Sequence, residues 1–250
     1  YEFAYLMSPE ECRALLLKSF NDTDIDDIFA ATLEAQNKIE DYSLERKQII
    51  PKVQVPFYDN LWDLLPEEMQ WSSYTWPTLD RIICAGNDQE RYWLGECLKS
   101  MREKGFIDKK EYWDRLETEA DVIDDIGGKL EDCLFAYFNT FKHYIDLFWD
   151  CGSIVGPGRG SATGFLSNYL LGITQLDPVR WKLPYWRFLN KERAELPDID
   201  IDLAPSKRPE IFRRIRQERG ELGLIQVGTF GTEGTKSAIL TACRGYRSVR

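Results

Sequence analysis

Three aspartates alternate with apolar residues in the segment LPDIDIDL at 196–203. Side chains alternate between the two faces of a strand, so Asp198, Asp200 and Asp202 are predicted to point one way while the intervening residues face a core. Carboxylates on one edge repel each other unless cations neutralise them. Mg²⁺ suits this task because it takes oxygen ligands and completes its shell with waters and substrate phosphates. The alternation alone leaves two interpretations open, a metal site and an exposed edge strand with solvent-facing acids.

A glycine-rich segment, GPGRGSATG at 156–164, precedes the run FLSNYLLG, which is predicted to form a helix. Such a turn presents backbone N–H groups and the positive end of a helix dipole to phosphate oxygens. Arg159 adds a guanidinium, and Ser161 adds a hydroxyl or an N-cap. The segment lacks the lysine of a nucleotide P-loop and the spacing of a dinucleotide fingerprint, so a tight structural turn is the alternative. A phosphate-binding turn together with carboxylates for its metals describes a phosphoryl-transfer site.

The elements that must position these residues change character along the chain. Residues 1–150 are predicted to be mainly helical, from a capping box at Ser8 and Glu11 and from apolar residues recurring every three to four positions. Further helices are predicted at 23–42, 88–105 and 108–128, the last two ended by glycines, and in the next helix Leu134, Phe138, Phe141, Ile145 and Phe148 form an apolar core stripe. In residues 151–250, strand candidates at 198–203 and 224–230 alternate with helices, including a basic helix at about 207–219 that is either a nucleic-acid contact or a solvated face.

Charge divides the chain in the same place. Residues 1–150 carry 16 Lys and Arg against 32 Asp and Glu, a net charge of −16, whereas residues 151–250 carry 16 against 10, a net charge of +6. Only the second part is therefore expected to meet a polyanion.

Cysteine usage and hydropathy exclude several classes of protein. The six cysteines form no CxxC pair and His143 is the only histidine, so neither a zinc site nor a disulfide framework is predicted. From this cysteine usage we expect reduced thiols and a cytoplasmic location. No membrane span is expected, because no apolar run reaches about 18 residues. The chain opens without methionine, and we expect it to be a piece of a longer protein.

Three blocks of sequence carry a resemblance to a known family. GPGRGSATGFLSNYLLGITQLDPVRW, RFLNKERAELPDIDIDL and IQVGTFGTEGTKSAILTACR resemble, in order and spacing, the alpha subunit of bacterial DNA polymerase III, a C-family replicative polymerase. Upstream, SPEE and DIDDIFAATLEAQNKIE resemble the exit from that family's PHP domain, and RLETEADVIDDIG resembles its thumb. A phage or plasmid member is as plausible as a chromosomal one.

The resemblance implies roles for particular residues. The family's first two catalytic, metal-binding aspartates match Asp198 and Asp200, whereas Asp202 matches a position not usually assigned to catalysis. The positions expected to contact the phosphates of the incoming nucleotide are Arg159, Gly160, Ser161, Arg187, Arg193 and Lys236. For the basic members of this set, a surface salt bridge is the alternative. Lys191, Trp186 and Leu203 depart from the family's usual residues.

The fold implied is α+β, with a mainly helical N-terminal half followed by an incomplete nucleotidyltransferase palm of the polymerase-beta type, a mixed sheet with flanking helices. The expected domains are the exit from the PHP-like region (1–56), a thumb-like helical region (57–150) and the first part of the palm (151–250). The activity implied is template-directed addition of dNMP to a primer 3′ end with two Mg²⁺ ions and release of pyrophosphate.

The partners implied are primer-template DNA, dNTP and, through regions outside this chain, a sliding clamp and other replisome proteins. Because the family's third catalytic aspartate lies beyond Arg250, the 250 residues alone are expected to be inactive. Two further hypotheses remain, a template-independent nucleotidyltransferase and a non-catalytic module whose acidic half docks a partner protein.

Overall fold

The computed structural model describes residues 7–39, 49–66, 75–193 and 195–248, with side chains described as far as Tyr246. Contacts divide the chain into two compact units, Tyr1–Lys47 and Gln48–Arg250. The finer division at residues 56 and 150 that the sequence suggests stays a prediction. Within the described ranges no helix is long and apolar enough to cross a membrane.

The first unit contains α1 (Pro9–Leu16) and α2 (Asp22–Asn37). The predicted capping box is confirmed, since Ser8 Oγ accepts the N–H of Glu11 at 3.2 Å and the Glu11 carboxylate accepts the N–H of Ser8 at 2.8 Å. Helix α2 confirms the helix predicted from residue 23, with Asn21 as its cap. Residues 40–42 of that prediction lie outside the described residues.

Six α-helices of the second unit carry its core and the site. They are α3 (Pro77–Ala85), α4 (Asp88–Glu103), α5 (Lys110–Leu130), α6 (Phe135–Asp150), α7 (Leu166–Leu170) and α8 (Arg208–Arg219), and α9 (Thr235–Ser248) follows them. The glycine stop of α4 is confirmed, because Gly105 follows it with φ of +68°. The glycine stop of α5 is wrong, because the helix continues through Gly127 and Gly128 to Leu130. Gly127 serves close packing instead, since a Cβ there would lie 2.8 Å from the carbonyl oxygen of Asp132.

Aromatic and aliphatic side chains from α3 to α7 form one continuous core. Trp93 of α4 lies edge-on to Phe135 of α6, with ring centroids 4.9 Å apart, and both rings are fully buried. The predicted apolar stripe on α6 is confirmed as core, because Leu134, Phe138, Ile145 and Phe148 are buried and Phe141 packs against them partly buried. Residues of the segments after α6, such as Val155 and Ile199, pack into this core.

The predicted mixed sheet, and with it the α+β palm, is wrong for the part of the chain that the structure describes. Its one β pairing there is a single antiparallel bridge between Val155 and Leu203. Residues 198–202 have no regular structure, and among the described residues no neighbouring strand continues the ladder that a strand needs for its backbone groups. Residues 225–230 are exposed without regular structure, so the second strand candidate is also wrong. Among the described residues the regular elements are helices in both halves of the chain.

The predicted basic helix is confirmed as α8, which buries Ile211 and Ile215 against the core. Several of its arginines already have protein partners. Arg213 pairs with Glu210 at 2.5 Å, and Arg219 donates to the hydroxyl of Tyr144 at 2.9 Å. These contacts favour the solvated, internally paired interpretation of this helix over a free phosphate-binding face.

Candidate functional site

The glycine-rich loop and the aspartate segment lie side by side. The N–H of Gly156 donates to the carbonyl of Asp202 at 2.9 Å, next to the bridge between Val155 and Leu203. Just beyond this bridge, the N–H of Ala204 donates to Ser153 Oγ at 3.1 Å. A short antiparallel contact therefore brings together the two segments that the sequence singled out.

The alternation predicted for the aspartate segment is confirmed. Asp198, Asp200 and Asp202 are exposed, whereas Ile199 is only 8% exposed. The segment is anchored at its start, because the hydroxyl of the buried Tyr137 donates to the carbonyl of Pro197. Burial, reinforced by the charge of Asp198, raises the pKa of the Tyr137 hydroxyl, so this residue stays a neutral donor.

Arg159 lies over the aspartates. Its Nε is 3.4 Å from Asp200 Oδ2 and its Nη1 is 3.4 Å from Asp202 Oδ1. All three side chains are more than half exposed, so these ion pairs contribute little to stability and are easily exchanged. Gly160 has φ of +63°, and a Cβ at this position would lie 3.9 Å from Asp200 Oδ2. Gly160 therefore lies beside the carboxylate of the second aspartate.

Two of the predicted basic residues share a cavity with the first aspartate. Arg187, Arg193 and Asp198, with the exposed ring of Trp186, line a space of about 520 Å³. Arg193 also donates to the carboxylate of Glu195 at 2.9 Å, as the surface-pair alternative anticipated. Arg187 and Arg193 thus lie near Asp198. Arg159 and Gly160 lie near Asp200.

Lys236 and Ser161 are less firmly placed. Lys236 lies exposed in the first turn of α9, and in the described part of the chain no hydrogen bond or ion pair links it to the other predicted site residues. Ser161 is exposed in the 3₁₀ turn Gly160–Gly164. Its N–H and that of Gly160 precede the first bond of that turn, and among the described residues neither has an acceptor.

The helix N-terminus after the loop is not available to a ligand. Glu119 of α5 accepts the N–H of Leu166 at 2.6 Å and that of Ser167 at 2.8 Å, so a protein carboxylate caps α7. The expectation that this helix end cradles phosphate is therefore wrong. The N–H groups of Gly160 and Ser161, earlier in the loop, have no acceptor among the described residues and could still bind an anion.

Sequence reasoning missed Glu119 and its partner Arg115. A signal was present, because Leu116, Glu119 and Ile123 fall on one stripe of α5 and the other two are core residues. A charged residue inside an apolar stripe is buried only when it is paired. Burial raises the pKa of Glu119, although the charge of Arg115 and the two backbone N–H groups act in the opposite direction.

The donor set of the aspartates suits a magnesium-nucleotide complex better than a protein-only metal site. Within the described ranges, no three His, Cys, Asp or Glu side chains converge closely enough to hold a metal ion. Asp198 and Asp200 present exposed carboxylate oxygens on one side of the extended segment. Mg²⁺ commonly takes one or two carboxylates and completes its shell with waters and substrate phosphates, so the residues present fit this group.

Comparisons with known proteins agree with the resemblance in the three sequence blocks. The family model described as the bacterial DNA polymerase III alpha NTPase domain matches residues 89–249. The probable DNA polymerase YorL of Bacillus subtilis (strain 168) is 36% identical over 236 residues, 88% of this chain and 17% of that protein, and the DNA-directed DNA polymerase of Bacillus phage SPbeta matches equally. The DNA polymerase III subunit alpha of Escherichia coli (strain K12) is 40% identical over 131 residues, 52% of this chain and 11% of that protein. The chain therefore spans less than a fifth of the length of these relatives.

Proposed function

Because this chain belongs to the bacterial DNA polymerase III alpha family, we propose that it forms the nucleotide-binding side of a template-directed DNA polymerase site. The whole protein would add dNMP to a primer 3′ end and release pyrophosphate. Its substrates would be primer-template DNA and dNTPs, with a sliding clamp and other replisome proteins as partners of regions outside these residues. The relatives' names, all of DNA polymerases, support this assignment.

One observation carries the proposal, the adjacency of the glycine-rich turn and the aspartate segment. These two segments are separate in sequence, yet Arg159 lies 3.4 Å from Asp200 and the backbone of Gly160 faces the same carboxylate. The groups proposed to bind phosphate and those proposed to bind metal would thereby lie at one surface, as transfer of a nucleotidyl group requires.

The proposed roles combine the family resemblance with the positions of the side chains. Asp198 and Asp200 would hold two Mg²⁺ ions. When bound, such ions lower the pKa of the attacking hydroxyl and stabilise charge on the triphosphate. Asp198 shares its cavity with two arginines that would bind the outer phosphates, Arg187 and Arg193.

The glycine-rich turn would act on the same triphosphate from the other side. The N–H groups of Gly160 and Ser161 would donate to its oxygens. Arg159, held now by two exposed and weak ion pairs, would turn from the aspartates to the phosphates. Lys236 remains a phosphate-binding candidate through the resemblance alone.

Asparagine replacements of the aspartates in the full-length protein test the proposal. Asp198→Asn and Asp200→Asn keep the shape of the side chain and remove a charge that a metal requires. We expect single-turnover primer extension to fall at least about 100-fold, since a lost metal contact removes several kcal/mol of transition-state stabilisation. Binding of primer-template DNA, measured by fluorescence anisotropy, should change little.

Asp202→Asn is the matched control, because this aspartate is also exposed and lies on the same segment. It should retain most of the extension rate. Extension that is undiminished in both Asp198→Asn and Asp200→Asn would refute the assignment of these residues. Wild-type extension that proceeds equally without a template strand would favour the template-independent nucleotidyltransferase instead.

A further inference from the structure

A buried ion pair on α5 supports the glycine-rich turn from behind. Glu119 has no exposed surface, and its two carboxylate oxygens accept the N–H groups of Leu166 and Ser167. Arg115, one helical turn earlier, donates from Nε to Glu119 Oε1 at 2.7 Å, and its side chain is only 17% exposed. The residues that directly follow the turn are therefore fixed to α5 by charged groups that water screens little.

The other end of the same guanidinium reaches a second segment of the site. Arg115 Nη2 donates to the carbonyl of Gly164, the last residue of the 3₁₀ turn, and to the carbonyl of Leu183 at 3.0 Å. Leu183 lies just before the turn Tyr185–Arg187, and the guanidinium carbon lies 5.2 Å from the centroid of the Tyr185 ring. One side chain thus joins the turn that carries Gly160 to the segment that carries Arg187.

We propose that Arg115 and Glu119 are positioning residues that set the distance between the turn at 160–164 and Arg187, and thereby the affinity for the incoming nucleotide. Neither residue is among those proposed to contact the nucleotide. The inference rests on the proposed function, because it assigns both segments to one triphosphate.

The fork shape of arginine explains why this pair suits the task. Its planar guanidinium offers several donors in fixed directions, so it satisfies a carboxylate and two carbonyls at once.

Few other side-chain bonds of the described residues hold the turn at 160–164 from outside it. In the described part of the chain, Asn168 Nδ2 donates to the carbonyl of Ala162 at 2.9 Å, and the bond from Thr163 Oγ1 to the carbonyl of Gly160 is internal to the turn. Loss of the charged support should therefore loosen the turn locally.

Glu117 provides a matched control on the same helix. Its carboxylate accepts the N–H groups of Thr78 and Leu79 at 2.9 and 3.0 Å and so caps α3 in the way that Glu119 caps α7. Glu117→Gln and Glu119→Gln therefore make the same chemical change at two helix N-termini. Only the second of these helices adjoins the proposed site.

The test compares both variants in the full-length protein. Amide hydrogen exchange of the peptide at 160–167 should speed up at least about tenfold in Glu119→Gln and stay unchanged in Glu117→Gln. In steady-state primer extension, Glu119→Gln should raise the KM for dNTP about tenfold, with kcat within about threefold and with unchanged affinity for primer-template DNA. This pattern indicates lost ground-state binding rather than lost chemistry.

Two results would overturn the inference. Unchanged exchange at 160–167 in Glu119→Gln would remove the positioning role, and a change in KM no larger than that of Glu117→Gln would remove the link to the nucleotide. If Glu119→Gln does not fold, Arg115→Lys replaces it, because lysine keeps the charge beside Glu119 but lacks the fork that reaches both carbonyls. An unchanged KM in Arg115→Lys would equally overturn the inference. The exchange measurement needs no polymerase activity, so a wild-type protein that extends no primer would count against the proposed function alone.

Discussion

The turn at 160–164 and the segment that carries Arg187 touch at Gly164, which is buried. A Cβ added to this glycine would lie 2.7 Å from the carbonyl oxygen of Pro184. Ordinary van der Waals contact begins at 3.4 Å, so the two backbones would have to separate by about 0.7 Å. Because the obstacle is backbone rather than a flexible side chain, Gly164→Ala cannot be accommodated by a change of rotamer.

The expected cost follows from this displacement. Overpacking of a buried site costs about 1–3 kcal/mol, and each kcal/mol lowers the Tm of a unit of this size by about 2–4 °C. A shift of roughly 1 Å at a binding site can reduce the rate about 100-fold. We therefore expect a Tm decrease of about 2–12 °C and an increase of about tenfold in the KM for dNTP.

Calorimetry and steady-state primer extension of the full-length protein measure the two quantities. Gly128→Ala is the matched control, because it lies in α5 and, apart from its own stretch of helix, no atom lies within 4 Å of the added Cβ. Alanine favours helix over glycine by up to about 1 kcal/mol, so this variant should gain stability and keep its KM. If Gly164→Ala and Gly128→Ala shift Tm in the same direction and leave KM unchanged, the close contact at Gly164 is not as described.

Two further predictions concern the core and its ion pairs. Phe138 is fully buried and its ring is stacked on that of Phe165 with centroids 5.9 Å apart, so Phe138→Ala should destabilise the unit by about 3–5 kcal/mol, measured as a lower urea midpoint. Burial alone would raise the pKa of Glu96, but the hydroxyl of Tyr58 and the nearby lysines outweigh it and lower that pKa. A lowered folded-state pKa means that stabilisation is present above the unfolded value and is lost as pH falls through the folded one. The Tm difference between wild type and Glu96→Gln should thus be full at pH 7 and shrink below about pH 4, and a constant difference would contradict the assigned pKa.

Local sequence patterns determined many of the helices of this protein, though not its predicted strands. The capping box at Ser8, the helical periodicity of α2, α4 and α8 and the apolar stripe of α6 were all predictable, because each depends on side chains within a few positions of one another. The alternation of Asp198, Ile199 and Asp200 was predictable for the same reason, since an extended backbone turns successive side chains to opposite faces. The three blocks that resemble the polymerase family also needed only the sequence, and the comparisons confirm the family.

Only the tertiary structure decided which partners these elements meet. An alternating pattern specifies a half-buried extended segment but not a neighbouring strand, and this one meets a single bridge at Val155 instead of a sheet. The sequence also did not predict which group caps the N-terminus of α7, because the capping carboxylate of Glu119 lies 47 residues before Leu166. Hydrogen bonds and buried charges depend on groups brought together by folding, so the support of the turn at 160–164 could be found only once α5 was placed behind it.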